Sequence, residues 1–469
     1  MNSLLASILL YAALMIALGA VLSRRVRKSE DFLVAGRRLG PGLVFATFLA
    51  ANIGAGSTVG ATGLGYRIGW SAWWWVGAAG IGSLVLANTV GPRIWYWARA
   101  EGFHTLGDYL EYRYSRSVRG AVALLLWPAT VVLFSAQLIA ISVILDVVAG
   151  IPRWQGSLLG GLVVLSYFVA GGFFSAARIN LLQVGVKLAG FVLAVPFALH
   201  FAGGWGSIAR ALAERPLPSG YSSPTGIGVS GILYYLALLA PSFVVSPGLI
   251  QKIYGARSAR AARVGVNCNA AALLLFAAIP PCLGIVAAAR FPGLADTQLA
   301  LPMVMTELLP TWLGALALAA VFSAELSACD AVLFMLSTSL TVDLYRTYVR
   351  PNATEGEMLA ASRFSAAAGG VLGVAVALSA PAILDALTFF YSMLSVGLAA
   401  PLLSGLYSRK PDARAALAAI SASVPLVVVL HFGAAGRILG FLNPAAIGIA
   451  FSFAVLWGVT LVRPAARAA

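Results

Sequence analysis

Charge is scarce in this sequence. Only 10% of its 469 residues are Asp, Glu, Lys or Arg, against about 25% in soluble domains, and that scarcity excludes a water-soluble globule. Cysteine is scarcer still. Cys268, Cys282 and Cys329 all fall within apolar stretches, too scattered for a disulfide framework or a metal site. His104, His200 and His431 are equally dispersed, so a membrane-embedded enzyme lacks both a base for a nucleophile and a metal cluster. No Walker loop, dinucleotide fingerprint or metal-binding helix occurs, which leaves ATP-driven transport and cofactor chemistry without support.

What the chain has instead is apolar surface: 60% of residues are hydrophobic and the mean hydropathy is +0.91. Runs of about 20 apolar residues recur along the whole length, each able to cross a hydrocarbon core of about 30 Å. Thirteen spans are predicted, at 4–23, 41–65, 70–97, 120–149, 155–172, 176–201, 228–249, 264–289, 312–345, 360–379, 383–406, 414–432 and 446–462. The expected fold is an all-α integral membrane protein in a lipid bilayer. Met1, Asn2 and Ser3 before the first run carry no basic side chain, whereas Arg24, Arg25, Arg27 and Lys28 follow it. A secretory signal has its positive charge in front, so this span is retained and the N-terminus is expected outside.

Of 31 Lys and Arg, 24 fall in segments placed inside and six (Arg67, Arg153, Arg210, Arg215, Arg290 and Arg437) on the other side. This positive-inside asymmetry accounts for the net charge of +15 without any nucleic-acid partner. The C-terminus, seven residues past the last span, is expected in the cytoplasm with no soluble output domain, which argues against a transport-related sensor.

Two spans are interrupted. Span 2 reads Phe45-Ala-Thr-Phe-Leu-Ala-Ala-Asn-Ile-Gly-Ala-Gly-Ser-Thr-Val-Gly60, with Gly54, Gly56, Ser57 and Thr58 near its centre and Asn52 just before them. Small residues also pack helices closely, so this run alone does not decide. Span 7, however, is interrupted by Pro241, Pro247 and Gly248, and each proline removes a backbone donor. Five spans separate the two starts, an odd number, so the segments run in opposite directions. Broken segments at matching places in inverted halves point to a transporter site, where helix N-termini face anions and unwound carbonyls face cations.

Ionisable residues inside spans are functional candidates by default. Lys187 lies midway along span 6, and Glu325 and Asp330 lie in span 9. Ser323, Ser327 and Asp330 share one helix face, Glu325 and Ala328 another. A buried structural pair of Lys187 with Glu325 or Asp330 is the plainer reading. Asp146, Asp343 and Asp385 sit near span ends, where interfacial solvation accounts for them. Trp70, Trp73, Trp74 and Trp75 read as an interfacial belt, with one of them lining an outer vestibule.

At these residues the chain resembles the sodium:solute symporter family, which includes the sodium/galactose and sodium/proline symporters. Five stretches carry the likeness: Glu30-Asp-Phe-Leu-Val-Ala-Gly-Arg37, Ala50-Ala-Asn-Ile-Gly54, Thr105-Leu-Gly-Asp-Tyr-Leu-Glu-Tyr-Arg113, Leu249-Ile-Gln-Lys252 with the basic loop after it, and the span 9 run ending Asp343-Leu-Tyr345. The resemblance implies a five-plus-five inverted-repeat core of the LeuT type, with one helix before it and two after. Residues 1–40 would form the first span and a cytoplasmic loop, 41–201 the first repeat (spans 2–6) and 202–227 an extracellular loop. The second repeat (spans 7–11) would occupy 228–406, and 407–469 two peripheral spans with a short cytoplasmic tail. It also implies a multi-pass protein of a bacterial inner (plasma) membrane, with no obligate protein partner.

In the family, two carbonyls at the break of the first core helix, with a carbonyl and two adjacent hydroxyls on the eighth, hold sodium. Carried over, these fall at Ala50, Ile53, Ala324 and Ser327, but the second hydroxyl falls at Ala328, which has none. A family Asp on the cation exit route aligns with Asn180, and Lys187 follows two turns later on the same side of the helix. Desolvation disfavours the charged form of an amine, which suits a buried lysine to carrying a proton. Lys187, paired with Glu325 or Asp330, is therefore expected either to replace sodium or to accompany ordinary sodium coupling, so the coupling ion is H⁺ or Na⁺. The solute is expected to be a small organic anion or amino acid, bound near Asn52 and the amides of Gly54–Thr58. Gln137, Ser242, Phe243 and Ser246 would complete the pocket. A channel would also use broken helices, but it would want a repeated pore motif, which is missing.

Overall fold

The structure, a computed structural model, describes residues 3–23, 37–379, 382–433 and 443–462, without the side chains of 22–23, 167 and 170–177. The Arg24–Lys28 run, residues 30–36 of the first resemblance stretch, Arg437, and the tail with Arg463 and Arg467 lie outside the described residues. Among those described, helices are the only regular elements, and Leu39 and Ala256 form an isolated β-bridge.

The membrane helices are α1 (Ser3–Ser23), α2 (Pro41–Asn52), α3 (Ala61–Ile68), α4 (Trp73–Val85), α5 (Gly91–Glu101), α6 (Leu106–Arg113), α7 (Arg116–Ala149) and α8 (Arg153–Phe201), followed by α9 (Gly228–Val245), α10 (Pro247–Tyr254), α11 (Ala259–Phe276), α12 (Ile279–Arg290), α13 (Thr311–Thr338), α14 (Glu355–Ala377), α15 (Ile383–Tyr407), α16 (Ala413–Phe432) and α17 (Pro444–Val462). Among the described residues, eleven helical stretches are long and apolar enough to cross a membrane. The difference from the thirteen predicted spans has two sources, a broken helix and a doubled one. The first half of span 2, Pro41–Asn52, is too short to cross by itself, and its second half runs on into span 3.

The doubled helix is α8. Its 49 residues would extend about 74 Å if straight, more than twice the hydrocarbon thickness. Yet both ends meet the same segment. Arg153 pairs with Asp296 at 2.7 Å, and Phe197 packs edge-on against Trp312 at the start of α13, with ring centroids 5.9 Å apart. The chain therefore crosses twice within α8, as spans 5 and 6 require. The connection at 202–227, read as a loop, also contains a short helix, Gly204–Ala213.

Both predicted breaks are present. Helix α2 stops at Asn52, Ile53 is extended (φ −101°, ψ 97°), and a wide-turned stretch over Gly56–Gly60 leads into α3. Glycine is required at Gly54, where a Cβ would lie 2.5 Å from the Ala328 Cβ and 2.6 Å from Gln137 Oε1. The second break falls at Ser246 (φ −57°, ψ 120°), between α9 and α10, because Pro247 has no N–H and disfavours a helical residue before it.

The two broken helices are antiparallel. At one end, Leu39 donates to the Gly255 carbonyl and Arg257 to that of Leu39, both at 2.9 Å, so the start of α2 meets the end of α10. At the other end, Tyr221 Oη lies 3.0 Å from the carbonyls of Gly65 and Tyr66, so the end of α3 meets the approach to α9. Helix α1 closes the bundle against α8 and α13, where the Tyr11 hydroxyl donates to Ser323 Oγ at 2.7 Å.

Candidate functional site

Unwound backbone inside a bilayer leaves polar groups that water cannot reach, and each must find a partner. At the first break a side chain from another helix supplies it. Lys187 of α8 is fully buried, and its Nζ donates to Ser327 Oγ at 2.6 Å, to the Ile53 carbonyl at 3.2 Å and to the Ala50 carbonyl at 3.4 Å. Ser327 Oγ lies 2.9 Å from the carbonyls of both Ala50 and Ala324, with one proton to give. Ala328 contributes only a methyl group, packed toward Gly54. The ammonium thus occupies the point on which the carried-over cation ligands converge.

The carboxylates lie around this point. Glu325 is buried, with Oε1 2.7 Å from Thr58 Oγ1 and no hydrogen-bond partner for Oε2 among the described residues. Its hydrogen bond therefore joins α13 to the wide-turned stretch and does not reach Lys187. Asp330 is buried on the other face of α13. Toward the far end of the helix pair, Ser323 Oγ donates to the Gln183 carbonyl at 3.2 Å. Asn180 is buried, with Oδ1 unpartnered among the described residues.

Beside the breaks lies a cavity of about 90 Å³. Asn52, Gly54, Gly56, Ser57, Gln137, Ser242, Phe243, Ser246 and Ala328 all line it, but Thr58 does not, because it is turned toward Glu325. Trp75, Phe390 and Tyr391 supply its aromatic wall, with Tyr391 tilted against Phe243 at 5.8 Å between centroids. One of the four clustered tryptophans, Trp75, therefore faces the cavity and is buried.

Two of the amides expected to receive an anion at the first break are already engaged. Gly54 N–H donates to Ser57 Oγ at 3.0 Å, and Ala55 N–H to Gln137 Oε1 at 2.9 Å. Ser242 is held by Ser395 and by the Leu238 and Tyr391 carbonyls. Asn52 Nδ2 donates to Asn269 Oδ1 at 3.2 Å. Close packing around the break consumed these donors, which spacing alone does not show.

A second polar cluster went unrecognised in the sequence. Asp343, read as interfacially solvated, is buried beneath α6 and α7, with Oδ1 2.9 Å from Arg119 Nη2 and 2.5 Å from Thr105 Oγ1. Arg119 also pairs with Asp108 at 2.7 Å and Glu111 at 2.8 Å. Only the resemblance stretch Thr105–Arg113 hinted at it. Lys252, the last residue of the resemblance stretch Leu249–Lys252, is also buried, in the lining of the main cavity.

Antiparallel broken helices, a cation-like centre at one break and a cavity between them define a secondary transporter of the inverted-repeat class. The sodium:solute symporter family model matches residues 32–422, and the chain belongs to that family. It is 24% identical over 463 residues to a sodium/glucose cotransporter of Vibrio parahaemolyticus, covering 90% of this chain and 84% of that one. It is 27% identical over 444 residues to the sodium/pantothenate symporter of Escherichia coli (strain K12), covering 90% and 89%. In fold it is similar to a Na⁺-coupled sialic acid symporter solved in a substrate-bound outward-open state, with TM-score 0.82, 17% identity and 99% of each chain covered. It is also similar to the nucleobase-cation symporter Mhp1, with TM-score 0.59, 14% identity and 92% and 95% covered. The chain is thus a multi-pass membrane transporter, and its family consists of transporters rather than enzymes.

Proposed function

We propose that this protein is a symporter in which the Lys187 ammonium takes the place of a bound sodium ion, so that uptake of a small organic anion or amino acid is sodium-independent and proton-coupled. The observation that carries the reading is the Lys187 Nζ position, within 3.4 Å of Ala50, Ile53 and Ser327 together. Two unit charges 4 Å apart repel by about 4 kcal/mol at an effective dielectric of 20, so a sodium ion and a charged lysine exclude each other at this point. Ala328, without a hydroxyl, removes a further ligand. Loss of the lysine proton would release the carbonyls and Ser327, coupling protonation to the broken helix that borders the solute cavity.

The second reading is ordinary sodium coupling, favoured by the sodium-coupled relatives. Uptake into proteoliposomes separates the two. An inward proton gradient without sodium should drive accumulation, whereas accumulation driven by sodium at equal pH on both sides would overturn the lysine reading. Saturable counterflow distinguishes either from a channel.

A further inference from the structure

Lys252 sits on α10 one helical turn past Gly248, and both line the cavity. Lys252 is 1% exposed, in a lining that sets Leu249, Val332 and Met335 beside the polar Gln137 and Ser246. Among the described residues its one hydrogen bond runs back to the Gly248 carbonyl of its own helix, at a long 3.3 Å. No carboxylate among the described residues lies within ion-pair distance. A buried ammonium in this setting carries an uncompensated desolvation penalty of several kcal/mol, and intramembrane charges otherwise pair with one another or with backbone carbonyls. Among the described residues the Gly248 carbonyl is its one acceptor, and the cavity that Lys252 lines adjoins it. Lys187, by contrast, is saturated by the first break.

We propose that Lys252 is the anion-recognition residue of the cavity, forming the ion pair with the carboxylate of a small organic acid or amino acid. This inference rests on the transporter reading but not on how transport is coupled. It places the carboxylate against α10 at the second break instead of against the Gly54 and Ala55 amides of the first, which are engaged by Ser57 and Gln137. The rest of the solute then lies toward Trp75, Phe243 and Tyr391, so a carboxylate with an apolar or aromatic remainder suits the pocket better than a hexose. An interaction of this kind accounts for the bound solute's charge: an ammonium and a carboxylate enter the membrane interior as a neutral pair, and the penalty on Lys252 falls as the solute binds.

The test uses purified full-length protein and thermal-shift titration with L-proline, L-phenylalanine, L-lactate and phenylacetate, each against its own amide. At least one carboxylate should raise the melting temperature where its amide does not. Lys252→Met should weaken that half-saturation at least about tenfold, and Lys252→Arg should restore most of it. Because the methionine variant could misfold, reductive methylation of the wild type gives a second readout. Lys28, Lys187, Lys252 and Lys410 are the only lysines, so mass spectrometry resolves each, and modification of Lys252 should slow when the stabilising carboxylate is present. Stabilisation by amide and carboxylate alike, unchanged binding in Lys252→Met, unprotected Lys252, or no response to any of the four acids overturns the inference. Counterflow of the stabilising acid in proteoliposomes separates the layers. Binding without exchange would sink the transporter reading and leave Lys252 standing, whereas exchange undiminished in Lys252→Met would do the reverse.

Discussion

Lys187 Nζ and Ser327 Oγ stand 2.6 Å apart, a charge-assisted contact that ties α8 to α13 across the first break. If the ammonium substitutes for sodium, removing it while restoring the missing hydroxyl should rebuild a sodium site. Lys187→Ala with Ala328→Ser should therefore gain a melting-temperature increase on adding sodium chloride that potassium chloride does not give. Wild type should show none. Sodium-specific stabilisation of the wild type would count against the substitution outright.

Much of this was legible because the membrane restricts the chain to few solutions. Hydropathy located the spans, and Pro247 and the Gly54–Gly56 pair marked both breaks, because proline and glycine act locally on the backbone. The convergence of Lys187 on Ala50 and Ile53 came through the family resemblance, not through spacing. What stayed hidden depended on side-chain orientation. Asp343 lies near a span end in sequence, but α13 continues in wide turns over Ser339–Val349 and carries it beneath Arg119. The burial of Lys252 stays hidden because a helix position next to a basic loop does not reveal which way its side chain turns. The engaged amides at Gly54 and Ala55 depend on Ser57 and on Gln137, the latter 82 residues from Ala55.

Gly54 tests the packing of the break. A methyl group there would meet Ala328 Cβ at 2.5 Å and Gln137 Oε1 at 2.6 Å, closer than real contacts allow. Overpacking of this kind destabilises by about 1–3 kcal/mol. Gly54→Ala should lower the melting temperature and weaken solute binding together, because Gln137 must leave Ala55 N–H to make room. Gly185, which has open space around its Cα, should accept alanine without loss and serves as the control.

Asp296 lies outside the membrane helices and ties the start of α8 to the α12–α13 connection. Burial raises its carboxyl, but the Gln298 amides and Arg153 outweigh that and hold it below the ordinary range. A depressed pKa contributes stability above the unfolded value, about 3.9, and loses it as pH falls through the folded one. The melting-temperature gap between wild type and Asp296→Asn should be open at pH 7 and close in acid below about pH 4. A gap that persisted unchanged there would mean that the hydrogen bonds, not the charge, do the holding.

The Arg119–Asp343 pair lies between the main cavity and a surface cleft. Met335 lines both the main cavity and a smaller one beneath it, and Arg119 lines both that smaller cavity and the surface cleft with Asp108, Glu111 and Arg346. Asp343 is held by two partners, Thr105 and the side chain of Arg119, whose guanidinium also donates to the Val342 carbonyl at 3.0 Å. Breaking a buried pair by removing one partner costs about 3–5 kcal/mol. Arg119→Gln, which strands Asp343, should be far more destabilising than Asp343→Asn, which leaves Arg119 with Asp108 and Glu111. The same pair should control access. A cysteine placed by Ser339→Cys in the smaller cavity, on a background lacking Cys268, Cys282 and Cys329, should react slowly with a membrane-impermeant maleimide in wild-type context. Adding Asp343→Asn should speed that labelling at least about tenfold, because the helices it holds together part more often. Equal labelling rates with and without Asp343 would show that the route is closed by apolar packing at Met335 and not by the ion pair.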